Sequence, residues 1–156
     1  MQTIDDRLKE LKVELPAAAT PVGNYVAYTV SDSFVYVSGQ LPMEKGAVAI
    51  KGSLGRELQT EDGYRAARLC AMNVLAQLKA ACNGDLGRVK RVLKLGGFVS
   101  VTPDYLDAPK CVNGASDLMV EVFGEAGRHA RFAVGVASLP AGAAVEVDGI
   151  FEISTS

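Results

Sequence analysis

Tryptophan is absent from this 156-residue chain, and histidine occurs once, as His129. A lone histidine cannot build a metal cluster, and the three cysteines, Cys70, Cys82 and Cys111, show no zinc-ligand spacing. Their number is odd. Cys70 and Cys82 fall in one helical segment, about 18 Å apart at the rise of a helix, so they cannot bridge. Three reduced thiols point to a cytoplasmic protein. No stretch reaches the ~20 apolar residues a membrane helix needs. The first residues, Met1-Gln2-Thr3-Ile4-Asp5-Asp6-Arg7, form an acidic start and not a targeting leader. An excess of positive charge is also missing: 16 Lys and Arg face 18 Asp and Glu, for a net charge of −2. That argues against a surface built to neutralise phosphates, so no nucleic-acid partner is expected. Nucleophile elbows, dinucleotide fingerprints and P-loops are likewise lacking. Neither a metal, a cofactor nor a covalent nucleophile is expected. Cys111, on a helix ahead of Val112-Asn113, reads as packing.

What is present is an ordinary globular composition, 49% apolar and 22% charged, in a length that suits one domain. Ile4, Leu8 and Leu11 share one helical face and predict a short helix over residues 3–12, an appendage that Pro16 and Pro21 end. Two strands, 25–30 and 34–38, flank a Ser31-Asp32-Ser33 turn. A glycine-marked loop follows, with a short strand at 47–51. Thr60 is the expected N-cap of a helix whose apolar face repeats through Tyr64, Ala67, Ala71, Val74, Leu75 and Leu78, ending before Asn83-Gly84. Residues 88–101 read as a strand with Leu93, Leu95, Val99 and Val101 on one side. A second helix, 107–125, has Pro109 in its first turn. Strands at 131–138 and 144–153 close the chain.

Two helices can cover only one face of such a sheet. Alternation along the last strands assigns Phe132, Val134 and Val136, with Val145, Val147, Phe151 and Ile153, to the helix-covered side. The other side then carries Arg131, Ala133, Gly135 and Ala137, with Glu146, Asp148, Ile150 and Glu152. So many small residues predict close approach by another subunit or a ligand. Arg131 stands out, because a guanidinium matches a carboxylate in two-point geometry. From spacing alone two readings stand: a ligand-gripping arginine, or an ion pair with Glu146, Asp148 or Glu152. Glu146 is likewise either a carboxylate that handles a water proton at an enclosed face or a member of an ion pair. Tyr25 and Ser38 offer hydroxyls, and Ser38-Gly39-Gln40 offers backbone N–H groups at a strand end. His129 reads as a loop residue.

Val22-Gly23-Asn24-Tyr25 followed by Val37-Ser38-Gly39-Gln40-Leu41-Pro42 resembles the opening of the reactive-intermediate deaminase (RidA/YjgF-like) family. Val112-Asn113 is similar to that family's second helix. The run from Ala130-Arg131-Phe132-Ala133 through Leu139-Pro140 to Val145-Glu146-Val147-Asp148 resembles its terminal signature. The resemblance covers about residues 21–153. It implies an α+β, Bacillus chorismate mutase-like (YjgF-like) fold, a mixed sheet of core order 1-4-2-3 with two helices packed on one face. It also implies a homotrimer with a site in each intersubunit cleft. Residues 1–20 are then an N-terminal helical extension and linker, and residues 21–156 the YjgF-like domain. The implied activity is hydrolysis of 2-imino acids to 2-keto acids and ammonia without a cofactor. By the same resemblance Arg131 and Glu146 are catalytic, and Tyr25, Ser38, Gly39, Ala133 and Asn113 bind substrate. The alternative is a non-catalytic binder or sensor of small carboxylates. A ribonuclease activity, attached to some relatives, fits poorly with the net charge and the single histidine. Ala133 where relatives often carry cysteine, Asn24 for proline and Phe132 for a small residue are departures that bear on substrate choice.

Overall fold

The computed structural model describes residues 1–155; Ser156, the last residue of the expected domain, lies outside them. The first helix, α1 (Ile4–Glu10), is opened by a reciprocal cap: Thr3 Oγ1 accepts the Asp6 N–H at 3.0 Å, and the Asp6 carboxylate accepts the Thr3 N–H at 3.1 Å. Leu8 is buried in the main core, and Ile4, Leu11, Val13 and Leu15 pack against it. What the sequence presents as an appendage is therefore seated on the domain. Gln77 Nε2 ties the following linker down by donating to the Ala19 carbonyl at 2.8 Å.

The hairpin comprises β1 (Tyr28–Ser31) and β2 (Phe34–Gln40), with Asp32 at φ 53° in the turn. A small two-stranded unit follows, β3 (Met43–Glu44) and β4 (Ala47–Val48), shorter than the strand expected there. Then come α2 (Thr60–Ala81), β5 (Val89–Ser100), α3 (Ala108–Phe123), β6 (Ala130–Val136) and β7 (Val145–Ile153). The five long strands form one sheet of order β1-β2-β7-β5-β6. Its core, β2-β7-β5-β6, is 1-4-2-3 in chain order, as the family resemblance implies. Strands β5 and β6 run parallel, and β7 is antiparallel to both β2 and β5. The architecture is thus α+β with a mixed sheet.

Helices α2 and α3 cover one sheet face. Phe151, Val35, Leu95, Val99, Val145 and Val147 from the sheet meet Val74, Leu75 and Leu78 of α2 and Val112, Leu118 and Met119 of α3, all fully buried. The helices cross closely because Gly114 has no side chain. A Cβ there would strike the Tyr64 carbonyl of α2.

Four local expectations need correction. Thr60 is the first helical residue and Gln59 the cap; the Gln59 N–H is held by the Asp62 carboxylate at 2.8 Å. Regular strand structure starts at Tyr28 instead of residue 25, because β2 changes register between Val37 and Gln40 and the ladder ends there. Leu93 is not fully buried: a register shift between Val92 and Lys94 turns Val92 and Leu95 inward. The largest correction concerns β6. Its parallel register pairs Leu95 with Arg131 and Gly97 with Ala133, and a Cβ on Gly97 would meet Val112 of α3. Arg131, Ala133 and Gly135 therefore lie on the helix side, while Phe132 and Val134 lie on the open face. Gly97, beside Ala133, is what lets Val112 of α3 approach the sheet this closely, while Gly135 makes room for Val101.

Candidate functional site

Strand β7 alternates as the sequence predicts. Val145, Val147, Phe151 and Ile153 are buried under the helices, and Glu146, Asp148, Ile150 and Glu152 face the open side, half-buried. Opposite Asp148 the neighbouring strand β2 bulges. Val37 pairs with Gly149 and Gln40 with Val147, so Ser38 and Gly39 together oppose Asp148. Bulges re-aim side chains and are frequent beside functional sites. Here the bulge sets Gly39 against Glu146 so closely that a Cβ at position 39 would collide with the carboxylate. Ser38 closes the corner, its N–H and hydroxyl both donating to the Ala27 carbonyl at 2.9 and 3.0 Å. That anchor positions the segment carrying Tyr25, which is 57% exposed.

These groups surround a cleft of about 480 Å³ whose walls include Tyr25, Ser38, Gly39 and Glu146, with Pro21 and Pro140 at its sides. Burial pushes the Glu146 carboxyl up from its ordinary range, and the Asp148 charge adds to this. Asp148 is itself raised by burial, against the Gly96 N–H and Lys94, which act to lower it. A carboxylic acid shifted upward lies closer to neutral pH, where it exchanges protons with water effectively.

The second group of predicted residues lies elsewhere. Arg131 extends beneath α3, where Nη1 donates to Asn113 Oδ1 at 2.8 Å and to Ser116 Oγ at 3.2 Å. Ala133 lies one step along the same side of β6 and packs partly buried against the core. Arg131 forms no salt bridge among the described residues. Ion pairing with Glu146, Asp148 or Glu152 is ruled out by the fold, since all three project from the opposite face. Behind Ser116 stands His129, whose Nε2 lies 2.8 Å from Ser116 Oγ and whose Nδ1 lies 2.6 Å from the Gly127 carbonyl. Neither Ser116 nor His129 was singled out from sequence as part of a site. The signal was spacing: Ser116 is one helical turn beyond Asn113, and His129 precedes Arg131 by two residues, on the same side of the strand.

The predicted residues thus fall into two separate groups. One holds Arg131, Asn113 and Ala133; the other holds Tyr25, Ser38, Gly39 and Glu146. Glu146 is in register with Phe98, and Phe98 with Val134, three residues along β6 from Arg131. Two strand spacings sideways and three residues lengthwise are each about 10 Å, so the two positions are roughly 14 Å apart in the sheet plane. They also project from opposite faces.

Besides the β7 carboxylates, the open face carries aromatic and aliphatic side chains that nothing covers in a single chain. Phe34, Tyr36 and Val134 are 37%, 46% and 44% exposed, and the Phe132 ring meets Phe98 edge-on with centroids 5.2 Å apart. No helix among the described residues is long and apolar enough to cross a membrane. No group of three or more His, Cys, Asp or Glu residues among them is arranged to hold a metal ion. All three cysteines are free and buried.

Known proteins resemble this chain over nearly its whole length. The model of a family described as "YjgF/chorismate mutase-like, putative endoribonuclease" matches residues 5–150. Protein TCP17 of Trypanosoma cruzi is 51% identical over 148 residues, 94% of this chain and 92% of the relative. The crystal structure of protein Atu1372 from Agrobacterium tumefaciens superposes with a TM-score of 0.91 at 54% identity, covering 97% of this chain and 92% of that one. A Shewanella oneidensis structure described as that of "a putative endoribonuclease" gives a TM-score of 0.94 at 38% identity, covering 97% of this chain and 100% of that one.

Proposed function

Because the chain belongs to the YjgF/chorismate mutase-like family, we propose that its two half-sites meet across the interfaces of a homotrimer and there hydrolyse 2-imino acids to 2-keto acids and ammonia. The observation that carries this reading is the pairing of an arginine without a carboxylate partner and a raised, half-buried glutamate in a cleft, on opposite sides of one sheet. A ligand of a few atoms cannot touch both within one chain. Cyclic head-to-tail assembly presents one copy's half-site to its neighbour's other half. The uncovered apolar side chains of the open face supply a surface for such contact.

In this reading Arg131 grips the substrate carboxylate, and the Nε–Nη2 edge, which makes no hydrogen bond with the described residues, faces it in two-point geometry. Asn113 and Ala133 shape that end. Across the interface, Glu146 takes a proton from a water as the water oxygen bonds to the imine carbon. The C=N π electrons move to nitrogen, which receives that proton and becomes the amino group of a carbinolamine; the hydroxyl proton then passes through Glu146 to the same nitrogen as the carbonyl forms and the C–N bond breaks, releasing ammonia. Tyr25, Ser38 and the Gly39 backbone line the place where the water and nitrogen lie. An imine carbon is already electrophilic, so orientation supplies much of the acceleration. No cofactor takes part.

The test is subunit complementation. Arg131→Ala and Glu146→Gln are each made, and keto acid and ammonia release from enzymatically generated 2-aminoacrylate is followed. Each alone is inactive. Refolded together in equal amounts, about one interface in four receives both native residues, restoring roughly a quarter of the wild-type rate. Two inactive variants with no recovery on mixing refute the composite site. Full activity of Glu146→Gln refutes its proton-transfer role, and pyruvate binding by wild-type protein without any turnover leaves only carboxylate binding.

A further inference from the structure

The Arg131 guanidinium is held by a directed chain of hydrogen bonds that ends in the protein's only histidine. A carbonyl oxygen can only accept, so the 2.6 Å contact with Gly127 fixes the proton on His129 Nδ1. Burial keeps His129 below its usual range, with Arg131 adding to this and the Gly127 carbonyl opposing it. The ring is then neutral at pH 7, and its Nε2 is an acceptor. Ser116 must donate its hydroxyl to Nε2 across 2.8 Å. That turns an oxygen lone pair toward Arg131 Nη1, 3.2 Å away. Every donor in the sequence, Nη1–H, Oγ–H and Nδ1–H, points the same way, and aligned hydrogen bonds of this kind polarise one another.

The other Nη1 hydrogen is used by Asn113 Oδ1 at 2.8 Å. Both hydrogens of one terminal nitrogen are therefore committed to α3. A guanidinium carries five N–H donors, and of the three left the Nε–H and one Nη2–H lie parallel along a single side. We propose that His129 and Ser116 are positioning residues that lock the Ser116 hydroxyl as an acceptor for Nη1, fixing the rotation of Arg131 so that its Nε–Nη2 side is presented to an incoming carboxylate. This rests on the reading of Arg131 as the carboxylate anchor and adds which edge it uses and what sets that edge.

The Ser116–His129 contact also has the spacing of a nucleophile and its base. Its placement opposes that role: the hydroxyl lone pair is taken by a guanidinium, and Ser116 is half-buried within α3.

The test measures pyruvate affinity by calorimetry, together with the ¹⁵N-detected signals of the Arg131 Nε–H and the His129 ring. Ser116→Ala is expected to weaken pyruvate by about 3- to 10-fold, the loss that follows when a bound side chain must be ordered on binding. Ser116→Thr, which keeps the hydroxyl, restores the affinity, and His129→Phe behaves as Ser116→Ala does. In wild-type protein the histidine carries its proton on Nδ1, and pyruvate shifts the Arg131 Nε–H signal; in Ser116→Ala that signal is broadened before ligand is added. Unchanged affinity in both Ser116→Ala and His129→Phe overturns the positioning role, as does an Nε2-protonated ring. Loss of binding in Ser116→Thr equal to that in Ser116→Ala reduces it to packing and overturns it too. If Arg131→Ala itself binds pyruvate as wild type does, the failure belongs to the carboxylate-anchor reading.

Discussion

Gly39→Ala separates the role of Glu146 from the stability of the fold. The added Cβ would lie 2.9 Å from Glu146 Cδ and 3.2 Å from Cγ, with a carboxylate oxygen nearer still. Contacts under 3 Å do not persist, so something must move. The backbone has no reason to, since Gly39 is not at positive φ and alanine accepts its conformation. The obstacle is the free end of a flexible side chain, so Glu146 rotates away. The stability change should stay within about 0.5 kcal/mol, or roughly 2 °C in Tm. The rate should fall by about 10²- to 10⁴-fold, the usual contribution of a positioned acid–base group. Pyruvate affinity should largely survive, because Arg131 belongs to another part of the surface. The decisive measurement is a double-mutant cycle on imine hydrolysis. If Gly39 acts only by leaving room for Glu146, Gly39→Ala combined with Glu146→Gln is no slower than Glu146→Gln alone. A Gly39→Ala protein with wild-type turnover, or a double variant whose losses multiply, refutes the reasoning.

The remaining predictions concern charge, packing and assembly. Glu146 must be ionised to accept a proton, so the rate should fall as pH drops through its pKa, which burial and Asp148 place above the ordinary carboxylate range. Asp148→Asn removes the neighbouring charge and should move that acid limb to lower pH in a pH–rate profile; an unmoved limb contradicts the coupling. Gly114→Ala puts a methyl group against the Tyr64 carbonyl and within 3.2 Å of the Arg68 nitrogen. Forcing α2 and α3 apart should cost about 1–3 kcal/mol, lowering Tm by roughly 2–12 °C in calorimetry; an unchanged Tm would show that the helices part freely. Val134→Glu places a charge among the apolar side chains of the open face and should lower the oligomer mass measured by light scattering, whereas an unaltered mass shows that this face lies outside the interface.

Some of this was legible in the sequence because the physics left only one solution. Strand β7 has large apolar residues at every second position and carboxylates between them, so its two faces are unambiguous. The long helix from Thr60 is marked by its apolar spacing and its end by Asn83-Gly84. Strand β6 is ambiguous because small and large apolar residues alternate along it. Size does not mark the inward row here: Ala133 lies beside Gly97, where Val112 of α3 fills the place a Cβ would take, a tertiary fact no local pattern contains. Leu93 was misplaced for a related reason: one register shift breaks the two-residue period, and nothing in the side chains marks it. Arg131 and Glu146 stand out by chemistry and by resemblance, but a list of residues does not say that they project from opposite faces.

Their separation constrains the chemistry more than their identities do. In a 2-imino acid the carboxylate carbon is bonded directly to the imine carbon. A water poised to attack lies about 3–3.5 Å from that centre. An anchor and a base serving one such molecule must therefore lie within a few ångströms of the same small ligand. Roughly 14 Å of sheet, plus its thickness, intervenes here within one chain. Flexing does not close this distance, because β5 joins β7 on one side and β6 on the other along nearly their full lengths. On the proposed reading a second copy is then part of the site itself. Activity per chain should accordingly fall on dilution in step with the loss of oligomer. If turnover per chain stays constant in samples shown by sedimentation to be monomeric, Arg131 and Glu146 do not serve the same ligand.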